Sequence, residues 1–462
     1  MPRLPAVLIA LSAGMLLAGC GSEPPPAETG GAGKGGAPDA DTPTVADVLA
    51  RLSPQQRGTP GRWRKARSPD EELAERIEQL ESIGYAAGSR TGSGREGVLV
   101  YDTTRAYPGL NFFTSGHAAG ATLMDMEGHV LHEWHRSYDE IWPDHRLPER
   151  SVAAEYWRRA RLFPDGDVVA VFEGLGTVRV NRHSEVVWRN RNNAHHDLDV
   201  LPSGDLLVLT REAHVVRRVS PKHPILEDYL SVLDADTGEE TSRISLLECW
   251  ERGGEEHSWS DAYMAFWAKE HDRRLADSDP SDIFHTNAVE VLDGRLAGRV
   301  PAFAKGNVLL SMRNLDAICV VDPRVQRVVW SMAGAFTLQH EPTVAPDGRI
   351  LVFDNHWVPK TRSAIVAVDV ETRRVTRVYA GTDEHPFYSH SCGSVAALPN
   401  GNLLVTESDN GRAFELDRDG EIVWEYSNPH RAGDHDEYIA TLFEVVRLPP
   451  DTPTAWAEPP PR

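Results

Sequence analysis

A short turn phrase recurs along this chain, each time between two apolar runs. Pro164-Asp165-Gly166, Pro202-Ser203-Gly204, Pro346-Asp347-Gly348 and Pro399-Asn400-Gly401 share the form Pro-x-Gly. Proline presets φ for the start of a turn, and glycine accepts the positive φ that closes it. Such a phrase between apolar strands therefore signals a hairpin. A second family of phrases follows each turn at a distance. MDMEGHVLHEW, NRHSEVVWRN, DADTGEETSRISL, DPRVQRVVW and DRDGEIVWEY read as the fourth strand of a unit or its approach. Four-stranded antiparallel units repeated at this scale predict an all-β fold, a six-bladed β-propeller. The blades start near Val98, Tyr156, His195, His285, His340 and His390, and TLFEVVRL from Thr441 offers a strand to close the ring. Trp134, Trp188, Trp330 and Trp424 recur in the fourth-strand phrases and are expected to pack between blades.

The propeller is expected over residues 97–448, with a helical insertion at 247–284 between blades 3 and 4 and a tail at 449–462. The first 96 residues have other uses. Arg3, the apolar run Leu4 to Leu17 and then Leu17-Ala18-Gly19-Cys20 resemble a bacterial lipobox, with a signal peptide at 1–19 and lipidation of Cys20. An ordinary secretory signal with an incidental cysteine is the other reading. Acyl chains on Cys20 imply membrane attachment through the anchor only. Gly21-Ser22 lacks the aspartate that retains lipoproteins at the inner membrane, which points to the outer membrane, facing the periplasm. Residues 20–67 are rich in Pro, Gly, Ala, Ser and Thr and read as a flexible tether. Ser68, Pro69 and Glu71 open a helix with a capping box, and Leu73, Ile77, Leu80 and Ile83 give it one apolar stripe before Gly84; helix and linker fill 68–96.

The net charge of -21 argues against nucleic acid as a partner. With Cys20 committed to the anchor, Cys249, Cys319 and Cys392 allow at most one disulfide, and their spacing fits no zinc ribbon.

Histidine stands repeatedly at the entrance of a blade. His195 and His196, His285, His340 and His390 all occur there, and His196 and His340 both lie six residues ahead of the turn proline. The first strand of a blade lies nearest the axis, so these positions gather at one mouth of the channel. His117, His129, His132, His135 and His183 fall on hairpins and loops and are expected at the surface. An imidazole cluster can bind metal, move protons or act as nucleophile. Asp197 and Glu341 could add carboxylates to a metal site, but no ligand spacing of a known zinc motif is present. Arg313, after the second strand of blade 4, suits an anion instead, because sulfuryl or phosphoryl oxygens need fixed positive donors.

The phrases HHDLDVLPSG, FHTNAVEV, SMRNLDAICVVD, FTLQHEPTVAPDGRILVFDN and SHSCGSVAALPNGNLLVTESDN resemble the bacterial PAPS-independent arylsulfotransferase family over roughly Gly97 to Leu448. The resemblance implies a six-bladed propeller that moves a sulfuryl group from an aryl sulfate to a phenolic acceptor, without cofactor or metal, through a sulfohistidine. It implies His340 as nucleophile, with His285, Arg313 and His196 (His195 as the near alternative) holding sulfuryl oxygens and helping to protonate the leaving group. His390 and Glu341 are possible pocket residues without an implied role. The absence of an N-terminal β-domain and the phrase around His390 and Cys392 point to the family's less characterised branch. Two other readings carry a test. A lipid-anchored scaffold or ligand-binding propeller would disperse these residues, and a metal-dependent hydrolase or lyase would hold stoichiometric metal.

Overall fold

The hairpin turns close as their chemistry requires. The amide of Gly166 donates to Phe163, Gly204 to Leu201, Gly348 to Ala345 and Gly401 to Leu398, all with glycine φ between 84° and 95°. The strands they join belong to six antiparallel sheets of four or five strands, beside one small three-stranded sheet, in a computed structural model. It describes residues 90–91, 94–147, 151–220, 224–253, 281–357, 362–432 and 434–457. Two units are present, Met1–Ala66 and Arg67–Arg462, and all described residues lie in the second. The signal peptide, Cys20, the tether, the helix from Ser68 and the helix-like stretch from Ser260 to Ala276 fall outside the described residues.

Each of the six larger sheets is a blade. Blade 2 runs Arg159–Leu162, Val168–Phe172, Gly176–Val180 and Val186–Asn190. The inner strands of blades 3, 4, 5 and 6 are Ala194–Val200, Thr286–Val291, His340–Val344 and Ser394–Ala397. Blade 1 differs from the expected phase. Its inner strand is the C-terminal Leu442–Leu448, paired with Leu110–Ser115, so the end of the propeller closes its beginning. The strand at Val98, Gly97–Tyr101, is instead a fifth, outer strand of blade 6, paired with Ile422–Ser427. One closure thus ties both ends of the ring.

Blade faces pack on one another through apolar residues at alternate strand positions. Val169 and Val171 of blade 2 meet Ala194, Leu198, Leu206 and Val208 of blade 3. Tryptophans fasten these contacts. Trp134 donates its indole N–H to Gly166 O at 2.9 Å, Trp188 to Ala235 O at 2.9 Å and Trp424 to Met126 O at 2.9 Å, each reaching the next blade. Trp330 packs edge-on against Phe303. The tail also contributes, for Trp456 donates to Pro164 O at 3.1 Å and lies against Trp134. His132, expected at the surface, is buried beside Trp134, with Nε2 2.8 Å from Arg182 O. Among the described residues the insertion begins with a short helix, Leu246–Glu251. Cys249, Cys319 and Cys392 are buried and unpaired with one another.

Candidate active site

Regular strands send consecutive side chains to opposite faces. Three inner strands break this rule at the same level. Their register shifts between Ala194 and Leu198, Thr286 and Ala288, and His340 and Thr343. His196, His285 and Glu341 take left-handed backbone at φ 54°, 48° and 45°. That conformation costs a residue with a Cβ roughly 1–2 kcal/mol. Such bulges re-aim side chains, and in blade 3 three consecutive residues, His195, His196 and Asp197, are buried.

The bulges and the short 3-10 turn Arg313–Leu315 bring His196, His285, Arg313 and His340 together. The rings of His196 and His285 lie 5.0 Å apart, centre to centre. The Arg313 amide donates to His285 O at 3.2 Å, and its Nη1 donates to Asn314 Oδ1 at 3.1 Å. His195 stands behind His196, with the two Nδ1 atoms 2.9 Å apart and His195 Nε2 3.6 Å from Asp228. Glu173 fixes the bulge by accepting the His196 amide at 3.1 Å.

Hydrogen bonding settles the tautomer of His340. Its Nδ1 is 3.1 Å from Leu338 O and 2.8 Å from Asn355 Oδ1. A peptide carbonyl only accepts, so Nδ1 carries the proton and the Nε2 lone pair is left available. Burial pushes His340 well below the ordinary imidazole range, reinforced by Arg313, Arg158 and His285. Burial does the same to His196, helped by His285 and Arg158, and to His195, helped by Arg211. His285 is also lowered by burial, but Asp282 opposes the shift; its Oδ2 sits 2.7 Å from His285 Nδ1. The result is a neutral nucleophile-type imidazole, a proton-carrying imidazole on a carboxylate, and guanidiniums facing both.

Four contributors were not singled out from sequence. Arg158 lies six residues before Pro164, the same offset as His196 and His340, and its charge acts on both imidazoles. Its Nε is 3.6 Å from Glu173 and its Nη2 3.6 Å from Cys392 Sγ. The shared offset is the sequence signal for Arg158. Asp282 lies inside the expected insertion, Asn355 lies two residues before the end of the second strand Arg349–Trp357, and Glu173 directly follows the second strand Val168–Phe172. The remaining sequence-selected residues lie elsewhere. Glu341 binds Arg159 at 2.6 Å, in an axial ion cluster with Asp197 at 2.9 Å and Glu444 at 2.5 Å. His390 joins His356 and Tyr388 between blades 5 and 6.

Glu173, His195 and His196 offer ligand atoms within 4.8 Å of one another. Arg158 lies 3.6 Å from that carboxylate, and the charge of Arg211 acts on both Glu173 and His195. A cation there would face two guanidiniums, so this donor set does not fit a divalent metal.

Residues 159–429 match the family described as Arylsulfotransferase (ASST). The chain belongs to the arylsulfotransferase family. No curated protein matches it. Among solved structures it is similar to a protein of unknown function from Bacteroides caccae at 12% identity and TM-score 0.45, covering 73% of this chain and 98% of that one. It is also similar to a catalytically inactive virginiamycin B lyase from Staphylococcus aureus at 11% identity and TM-score 0.39, covering 77% and 98%. The β-propeller domain of Myceliophteria thermophila Cps50 (Swd1) compares at 12% identity and TM-score 0.40, covering 78% and 100%. None of these three likenesses bears on the chemistry of the site.

Proposed function

We propose that this protein is a PAPS-independent sulfotransferase that carries a sulfuryl group from an aryl sulfate to a phenol through a sulfohistidine at His340. The observation that carries the reading is the fixed Nδ1–H tautomer of His340 in a mouth lined by Arg158 and Arg313. His340 Nε2 attacks sulfur. The N–S bond forms as the S–O(aryl) bond breaks, and the phenolate leaves with the bonding pair. Arg313, Arg158 and His196 hold the sulfuryl oxygens, whose charge is spread in the transition state. In the second half-reaction an acceptor phenol gives its proton to His285 Nε2. Its oxygen attacks sulfur, the N–S bond breaks and His340 is regenerated. Asp282 stabilises the His285 imidazolium until the next leaving phenolate takes the proton. Splitting one transfer into two produces ping-pong kinetics.

The test is phenol release from a chromogenic aryl sulfate with a second phenol present. Release that depends on the acceptor and vanishes in His340→Ala supports the proposal; equal release in both proteins removes His340 from it. We further propose that the enzyme works in the cell envelope as a lipoprotein of the family's less characterised branch. Acyl chains on Cys20 would hold it at the outer membrane, facing the periplasm. Metabolic labelling with palmitate should mark the wild type and not Cys20→Ser.

A further inference from the structure

The position six residues before the turn proline carries Arg158, His196 and His340 in blades 2, 3 and 5. In blade 1 the same count back from Pro449 reaches Phe443, on the inner strand Leu442–Leu448. In blade 6 the count back from Pro399 reaches Gly393. No side chain fits there, because a Cβ would lie 2.6 Å from the Phe353 ring. Its neighbour Cys392 is buried instead. Two blades thus bring uncharged groups to the level where three others bring guanidinium and imidazole. Both groups meet Arg158.

The guanidinium carbon of Arg158 lies over the Phe443 ring, 4.9 Å from its centre. Its Nη2 donates to Cys392 Sγ at 3.6 Å, while the Glu173 carboxylate stays 3.6 Å from Nε. Arg158, Cys392 and Phe443 are all buried. A buried guanidinium needs partners, and the kind of partner decides how much of its charge is left. Carboxylates at bonding distance cancel it, as they do around Arg159. An aromatic face attracts a cation through its quadrupole and carries no net charge. A thiol is a weak acceptor. Burial pushes the Cys392 thiol up against the pull of Arg158, so it stays uncharged at neutral pH. We propose that Phe443 and Cys392 are positioning residues that aim the Arg158 guanidinium at the sulfuryl group and leave its charge uncancelled. The assignment rests on the sulfotransfer reading of the site.

Each partner is itself tied down. Tyr156 packs on Phe443, with ring centres 4.8 Å apart. The Cys392 carbonyl accepts Asn355 Nδ2 at 2.8 Å, and Asn355 Oδ1 lies 2.8 Å from His340 Nδ1. Cys392 therefore sets Arg158 against the nucleophile. Its sulfur holds the guanidinium, and its carbonyl holds the side chain that orients His340.

The test is a double-mutant cycle with Arg158→Gln in the full-length chain, read as phenol transfer. Phe443→Leu should lower kcat about tenfold, and Cys392→Ala about fivefold. In the Arg158→Gln background each should change kcat by less than about twofold, because no guanidinium is left to aim. Residues that only support the fold would carry the same loss into both backgrounds, and that result overturns the proposal. A ring-fluorinated phenylalanine at position 443 keeps the shape and the packing but weakens the negative face. It should reproduce most of the Phe443→Leu loss; wild-type kcat with the fluorinated ring overturns the role of Phe443. The same cycle read as inorganic sulfate binding by calorimetry needs no turnover. Affinity losses that depend on Arg158, in a chain inactive on every aryl sulfate, would sink the sulfotransfer reading and keep Phe443 and Cys392 as positioning residues of an anion site. A chain whose kcat and sulfate affinity are both indifferent to the two substitutions overturns the proposal. So does a wild type with neither transfer nor sulfate binding.

Discussion

Six residues before the turn proline, Arg158, His196 and His340 stand at or directly before the inner strands of blades 2, 3 and 5. One residue later the same strands carry Arg159, Asp197 and Glu341. Both layers are buried and polar, yet their charges are used differently. In the second layer one guanidinium is met by three carboxylates, Asp197, Glu341 and Glu444, at 2.9, 2.6 and 2.5 Å. Burial pushes Asp197 and Glu341 up; it acts on Glu444 too, but Arg159 and Arg161 hold that group down. The cluster's charge is paired internally around Arg159. In the first layer the imidazoles are held neutral, and Arg158 has its carboxylate neighbour no nearer than 3.6 Å. One layer spends its positive charge inside the protein. On the proposed function, the other keeps it for an incoming anion.

Substitutions can break this contrast. His340→Ala should have the largest effect, a loss on the order of 10³-fold or more in phenol transfer, with an unchanged melting temperature. Arg159→Met should act on the fold instead. It leaves three carboxyls buried without their cation and should cost about 3–5 kcal/mol in denaturant unfolding. A variant with unchanged stability would show the second layer to be dispensable. Arg158→Gln should lower kcat about 10²-fold, as expected for a lost donor to developing charge, while unfolding changes little. A loss confined to KM would make Arg158 a ground-state contact only. Asn355→Ala should be milder, about tenfold in kcat, because Leu338 O still fixes the tautomer and the imidazole loses one hydrogen bond of ~1 kcal/mol; the bonds to Ser389 O and Cys392 O go with it and show in stability.

The smallest expected signal is in pH. His195, His196 and His340 have folded values depressed well below the ordinary range, first by burial. The unfolded chain, with imidazoles near 6.5, therefore binds more protons as pH falls. Stability from these groups is fully present above about 6.5 and declines below it, through to the folded values. The nucleophile itself stays neutral across that window, so the rate should show no loss of His340 between pH 7 and 6. Asp197 and Glu341, pushed up by burial, act in the opposite direction, so the measurement is the difference between the wild type and His195→Gln; a variant that loses stability on acidification as steeply as the wild type would contradict this assignment.

Much of this was legible in the sequence because turns carry their own chemistry. Pro-x-Gly phrases marked the blades, and the repeated offset marked His196 and His340. Pairing between chain ends carries no local signal, so the strand at Val98 was assigned to blade 1 rather than to the outer edge of blade 6. Asp282 and Asn355 were hidden for a related reason. Each acts on a histidine through a bond that only the folded ring creates, and Asn355 looked like the end of an ordinary strand. His390 stood at a blade entrance like the others, but the loop turns it to His356 and Tyr388.

The central claim is a covalent bond between His340 and sulfur. The most direct measurement is a single turnover with aryl sulfate and no acceptor, followed by peptide mass analysis under alkaline conditions that preserve N-sulfo groups. A stoichiometric sulfuryl adduct on the peptide bearing His340, discharged by added phenol and absent in His340→Ala, is the predicted result. Phenol transfer by the wild type with no such adduct, or an adduct that persists in His340→Ala, would contradict it.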